Sequence, residues 1–117
     1  QIMSMAHLGS GVVLAGTIPS GQIYKSTDYG ATWSLIQQLG SEAQVRSIVS
    51  LGGGVVLAGT ANTGQIYKST DYGATWSLVQ RLGNEVTINS LLALDSGMVL
   101  GGTSNLAQIY RFSEVSL

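Results

Sequence analysis

The sequence predicts an all-β fold made of about three copies of one four-stranded unit, and three observations predict it. The eight residues Ser26-Thr27-Asp28-Tyr29-Gly30-Ala31-Thr32-Trp33 return letter for letter as Ser69-Thr70-Asp71-Tyr72-Gly73-Ala74-Thr75-Trp76, 43 positions later. Over the whole period, about 30 of the 43 positions in residues 1–43 match residues 44–86. Within each period, short apolar runs alternate with glycine turns, and Gly and β-branched residues recur too densely for a helix. A period of this length filled with strands is that of β-propeller blades, small sheets that need neighbours to bury their faces. The 117 residues form one domain, divided into units 1–43, 44–86 and a shorter, diverged 87–117.

The second unit is the clearest to read in order. Val45-Arg46-Ser47-Ile48-Val49-Ser50-Leu51 is a strand, and Gly52-Gly53-Gly54 turns it back. Val55-Val56-Leu57-Ala58-Gly59-Thr60 is short and apolar enough to be buried on both faces. Ala61 to Gly64 turns the chain into Gln65-Ile66-Tyr67-Lys68-Ser69, and the Asp-Tyr-Gly-Ala turn leads to an outer strand from Trp76 to Leu82. In the third unit, Met98-Val99-Leu100-Gly101-Gly102-Thr103 answers residues 55–60, and Gln108-Ile109-Tyr110 answers residues 65–67. After Tyr110, no Asp, Gly or Trp stands at the expected places. Either a tight Ser113-Glu114 turn gives a stub of fourth strand, or the outer strand is missing or supplied by another chain.

The repeated octapeptide has a mechanical reading. Asp28 and Asp71 can accept backbone N–H groups across the turn, and Gly30 and Gly73 supply a positive φ at no steric cost. Thr32 and Thr75 return a hydroxyl to the loop, while Trp33 and Trp76 plug the space between neighbouring sheets. This Ser/Thr-x-Asp-x-Gly-x-Thr-Trp pattern between third and fourth strands resembles the Asp-box, or bacterial neuraminidase repeat, found in sialidases, other propeller glycosidases and non-catalytic propellers. The resemblance implies that Asp28, Gly30, Thr32, Trp33, Asp71, Gly73, Thr75 and Trp76 are folding elements, on the side away from any ligand site.

Composition narrows the partners. Net charge is −1 and only 9% of residues are charged, against roughly 25% in an average domain. Five Lys and Arg do not supply the basic stripe that nucleic acid requires. The longest apolar stretch, Ile48 to Gly59, is broken by Ser50 and glycines and is too short to span a bilayer. Cysteine is absent, so there is no disulfide framework, and the first residues carry no basic and apolar leader. A neutral surface rich in hydroxyls and amides suits uncharged ligands such as glycans, and equally an inert scaffold.

An open arc of three blades leaves the outer faces of the first and last uncovered, a patch that soluble monomers avoid. Two copies about a two-fold axis would close a six-bladed ring, so the expected partner is a second copy of this chain. A piece of a longer propeller is the alternative.

Antiparallel topology puts the loops after the second and fourth strands on one rim and the Asp-box turns on the other. Candidate ligand residues on the first rim are Glu42, Arg46, Asn62, Glu85, Asn89 and Asn105, with Glu42 and Glu85 repeat-equivalent. The alternative reading is that they are solvated loop residues.

A sialidase, the relative the resemblance suggests, needs three clustered arginines, a Tyr–Glu nucleophile pair and an acid/base Asp. Arg46, Arg81 and Arg111 are the only arginines, in non-equivalent places, and there is no Arg-Ile-Pro motif. A glycosidase pair of carboxylates would have to come from Glu42 and Glu85 of two copies. The expectation is a non-enzymatic propeller without cofactor, with a catalytically incomplete relative of the sialidases as the alternative. One histidine, His7, cannot build a zinc site and is expected to be partly buried or to line the centre. Met3 and Met5 read as core or channel filler, Tyr24, Tyr67 and Tyr110 as inter-blade packing, and Tyr29 and Tyr72 as exposed.

Overall fold

The computed structural model describes residues 1–39, 44–61, 64–83, 86–94, 97–104 and 107–117, and in these residues eleven strands form three antiparallel sheets. The first sheet runs β1 (Ile2–Gly9), β2 (Val12–Thr17), β3 (Gln22–Ser26) and β4 (Ser34–Gln38). The second repeats it as β5 (Val45–Gly52), β6 (Val55–Thr60), β7 (Gln65–Ser69) and β8 (Ser77–Arg81). The third has β9 (Ile88–Ala93), β10 (Met98–Thr103) and β11 (Ile109–Ser113), and then a 3-10 turn over Glu114–Ser116. In that turn the Leu117 N–H donates to the Glu114 carbonyl at 3.0 Å. Without the Asp, Gly and Trp that reverse the chain in the other units, the third unit coils after β11 and no fourth strand forms among the described residues.

Glycine chemistry sets the first hairpins. Between β5 and β6 the chain turns through Gly53 and Gly54, at φ 61° and 85°. Two consecutive left-handed residues make the primed turn whose twist matches that of the flanking strands. Gly54 and its counterpart Gly11 are also held by contact, because a Cβ on either would lie 2.7 Å from the ring of Tyr72 or Tyr29.

The innermost strands lie side by side, β1 against β5 and β5 against β9, so the sheets fan out from a common centre. Side chains alternate between the two faces of each sheet, as the pleat requires. In the second sheet, Val45, Val56, Ala58, Tyr67 and Trp76 join Leu14, Ile23 and Leu39 of the first sheet in one core. On its other face Leu57 and Ile66 join Ile88 and Val99 of the third sheet. The sheets approach so closely that a Cβ on Gly16 would lie 2.2 Å from Val45 Cγ1, and one on Gly59 2.7 Å from Ile88 Cγ2.

The second sheet is therefore buried on both faces, the first and third on one each. This corrects three expectations. Trp76 fills an inter-sheet space at 8% exposure, but Trp33 is 40% exposed, because no sheet stands outside it. Met5, read as core or channel filler, is 62% exposed for the same reason. Of the two expectations for His7, to be partly buried or to line the centre, partial burial does not hold, since the residue is exposed.

Candidate functional site

The octapeptide turns are closed by a small hydrogen-bond network that is the same in both copies. Asp28 accepts the Thr32 N–H at 2.9 Å on Oδ1 and the Thr32 hydroxyl on Oδ2. The Ser26 hydroxyl donates to Asp28 Oδ1 at 2.7 Å and accepts the Gly30 N–H at 2.8 Å. Asp71, Thr75, Ser69 and Gly73 repeat these distances. The Thr hydroxyl, the Thr N–H and the Ser hydroxyl, in that order, hold each Asp carboxyl well below its ordinary 3.8, at about 2. Gly30 and Gly73 take φ of 89° and 83°, as expected, and so, at 61° and 60°, do Tyr29 and Tyr72. Each indole is locked to its own turn, Trp33 Nε1 donating to the Gly30 carbonyl at 3.0 Å and Trp76 Nε1 to that of Gly73 at 2.9 Å. Every strong partner of these aspartates lies inside the turn.

The two rims fall as the topology requires. On one, the Tyr29 N–H donates to the Gly11 carbonyl and that of Tyr72 to Gly54, each at 3.0 Å, so the octapeptide turns lie on the first hairpins. On the other, Ala61 N–H donates to Gln44 O at 3.0 Å and Leu82 N–H to Gly64 O at 2.8 Å, joining the remaining loops. Of the rim candidates, Arg46 and Asn89 are placed, while Glu42, Asn62, Glu85 and Asn105 lie outside the described residues. Arg46 and Asn89 are each the extra residue of a register shift at the start of an innermost strand. Bulges of this kind re-aim a side chain. Asn89 is exposed and Arg46 half-buried. The Arg46 Nη2 donates to Gln44 Oε1 at 3.1 Å, and its Nε is buried with no partner among the described residues.

Three threonines were overlooked by the sequence reading. Thr17, Thr60 and Thr103 accept the N–H of Gln22, Gln65 and Gln108 respectively, each at 3.1 Å, which ties the end of the second strand to the start of the third in every unit. Their signal was available, since the same letter stands at the same place in all three units.

A hollow lies on the outer face of the first sheet. It encloses about 290 Å³ between Ile2, Ala15, Thr17, Tyr24 and Trp33. Each of these has its repeat-equivalent in Val45, Ala58, Thr60, Tyr67 and Trp76, all buried in or beside the core between the first and second sheets. The tyrosines are posed alike, Tyr24 OH donating to Gln22 Oε1 at 3.3 Å and Tyr67 OH to Gln65 Oε1 at 3.2 Å. Burial pushes the Tyr67 phenol above its ordinary value, against the pull of Arg81. The outer face of the third sheet is its counterpart: Ile109, Leu92 and Leu94 are exposed there, although Ile66 at the place of Ile109 is fully buried.

Antiparallel sheets packed face to face around a shared inner edge define the blades of a β-propeller. Solved structures bear this out. YCF48 bound to a D1 peptide matches 98% of this chain with a TM-score of 0.80 and 20% identity. A Bacteroides thetaiotaomicron protein of unknown function matches 97% at 0.76 and 15% identity. The GH93 α-L-arabinofuranosidase of Fusarium graminearum, in complex with arabinobiose, matches 95% at 0.63 and 17% identity. This chain spans 38%, 29% and 44% of those three chains, less than half of each. At these identities the likeness is one of fold. No family model matches the sequence, and no curated protein does.

Proposed function

We propose that this chain is a non-enzymatic β-propeller module that closes its ring with a second copy. We propose further that it offers the rim opposite the octapeptide turns to a ligand, an uncharged glycan being the class its composition fits. The observation that carries the reading is the difference between the blades: the middle one is buried on both faces, and each end blade leaves an apolar face open. The octapeptides are read as Asp-boxes, whose closed hydrogen-bond networks suit a structural rather than a catalytic part. On the opposite rim, the half-buried Arg46 and the exposed Asn89 are the placed candidates for contact with a ligand.

The fold does not choose the ligand, since one similar structure holds a peptide and another arabinobiose. A glycosidase relative without a complete catalytic set is the second reading, favoured by the likeness to the arabinofuranosidase. Light scattering tests the assembly: twice the mass of the chain is expected, and a stable single-chain mass overturns it. A glycan array tests the ligand class, with binding lost on Arg46→Ala the expected result. Hydrolysis of fluorogenic glycosides that disappears in the Glu42→Gln, Glu85→Gln double variant would overturn the non-enzymatic reading.

A further inference from the structure

The two internal interfaces follow one rule. A valine or isoleucine at the start of an innermost strand sits on a glycine of the preceding blade, Val45 on Gly16 and Ile88 on Gly59. A serine on the preceding blade lies beside each glycine; a Cβ there would meet Ser4 Oγ at 3.0 Å or Ser47 Oγ at 2.8 Å. At the first interface, Leu14 of the preceding blade reaches the Gly73 turn, where a Cβ would meet its methyls at 2.7 Å, in one core with Tyr67 and Trp76.

Every part of this rule is present again on the two open faces, without its mate. Blade 1 carries Ile2 at the place of Val45, and it is 60% exposed. It carries Tyr24 and Trp33 around a hollow, with Gly30 open where Gly73 meets Leu14. Blade 3 carries Gly102 at the place of Gly16 and Gly59, Ser90 beside it, Leu100 at the place of Leu14, and Ile109 at the place of Ile23. Among the described residues a Cβ on Gly102 would meet only the Ser90 hydroxyl, at 2.9 Å, a contact relieved by turning that side chain.

We infer that blade 1 of one chain is the socket for blade 3 of a second copy, joined head to tail, with Ile2 seated on Gly102 and Leu100 entering the cup of Tyr24 and Trp33. This continues the established series of interfaces: blade 1 on blade 2, blade 2 on blade 3, blade 3 on the next chain's blade 1. It rests on the self-assembly reading above and adds which face meets which, and through which side chains. The cup is set in advance, because Trp33 and Tyr24 already hold the hydrogen bonds that Trp76 and Tyr67 hold when packed. Docking therefore orders few side chains. A head-to-tail contact needs its rotation to close, and two three-bladed chains close it twice about one axis.

The test uses the full chain in sedimentation and light scattering over a dilution series. Gly102→Val fills the seat of Ile2, and Trp33→Ala empties the cup; each alone is expected to weaken self-association at least tenfold. Ile109→Asp serves as a second plug variant that spares the fold, its side chain being 79% exposed. A swap decides the geometry. Ile2→Gly empties the place that Gly102→Val fills, and the chain carrying both changes is expected to recover at least part of the association that Gly102→Val alone loses, because the two positions face each other in a head-to-tail contact. A double variant that associates no more tightly than Gly102→Val overturns the head-to-tail contact. A wild type that dimerises while all three variants dimerise equally well overturns this interface but leaves self-assembly standing. A monomeric wild type overturns both.

Discussion

Trp33 and Trp76 occupy identical octapeptides, donate to equivalent glycine carbonyls at 3.0 and 2.9 Å, and stand in opposite surroundings. One lies within the core between two sheets, and the other forms the wall of an open hollow. The contrast separates two kinds of stability in a repeat protein. The turn is built by its own eight residues and forms wherever they occur. The burial of the indole belongs to the neighbouring blade, as expected where units contribute through nearest-neighbour interfaces.

The largest effect separates the two tryptophans directly. Trp76→Ala should lower the unfolding free energy of the dilute chain by about 3–5 kcal/mol, the range for a large aromatic removed from a core. Trp33→Ala should cost less than half of that, because its cavity opens to water. Denaturant titration of both variants measures the gap, and equal losses would break the contrast. Next come the glycines. Gly16→Val drives a side chain into Val45 and should cost about 1–3 kcal/mol or more. Gly102→Val meets only a serine hydroxyl and should stay within about 1 kcal/mol for the dilute chain. The reverse order in thermal melts would place the interfaces elsewhere.

The smallest effect sharpens the other half of the comparison, the autonomy of the turns. Asp28 and Asp71 are both held at about 2 in the folded chain, below the ordinary 3.8. A depressed carboxylate contributes stability that is fully present above about pH 4 and lost as pH falls towards 2. Asp28→Asn and Asp71→Asn should each flatten this acid limb, and by similar amounts, since the partners are the same in both copies. Acid titration of stability by circular dichroism checks it. A response confined to Asp71 would mean that inter-sheet burial sets these carboxylates after all.

Much of the fold was legible before any coordinate. The strand over residues 55–60 and that over 65–69 appear with the bounds expected, and the outer strand differs only at its ends, Ser77–Arg81 in place of residues 76–82. Local pattern suffices there because alternation and turn chemistry act within a few residues. The misjudged residues, Trp33, Met5 and His7, share one cause. All three belong to the first blade, where repeat logic supplies a neighbour that this chain does not contain. The candidate site was legible in part: Arg46 and Asn89 were named from their repeat positions, but not that each sits on a bulge. A bulge arises from the pairing of two strands and has no signature in one of them.

By itself the sequence determined the blade: its period, its strands, the octapeptide turn and the residue types on each face, all set by interactions among residues close in the chain. Only the tertiary structure decided which of these equivalent faces are buried. It placed Ile109 in the open although Ile66 is sealed, and put Val45 on Gly16 while leaving Gly102 bare. The physical reason is that burial depends on what stands opposite a face, so the same residue at the same place of the repeat is sealed in one blade and open in another.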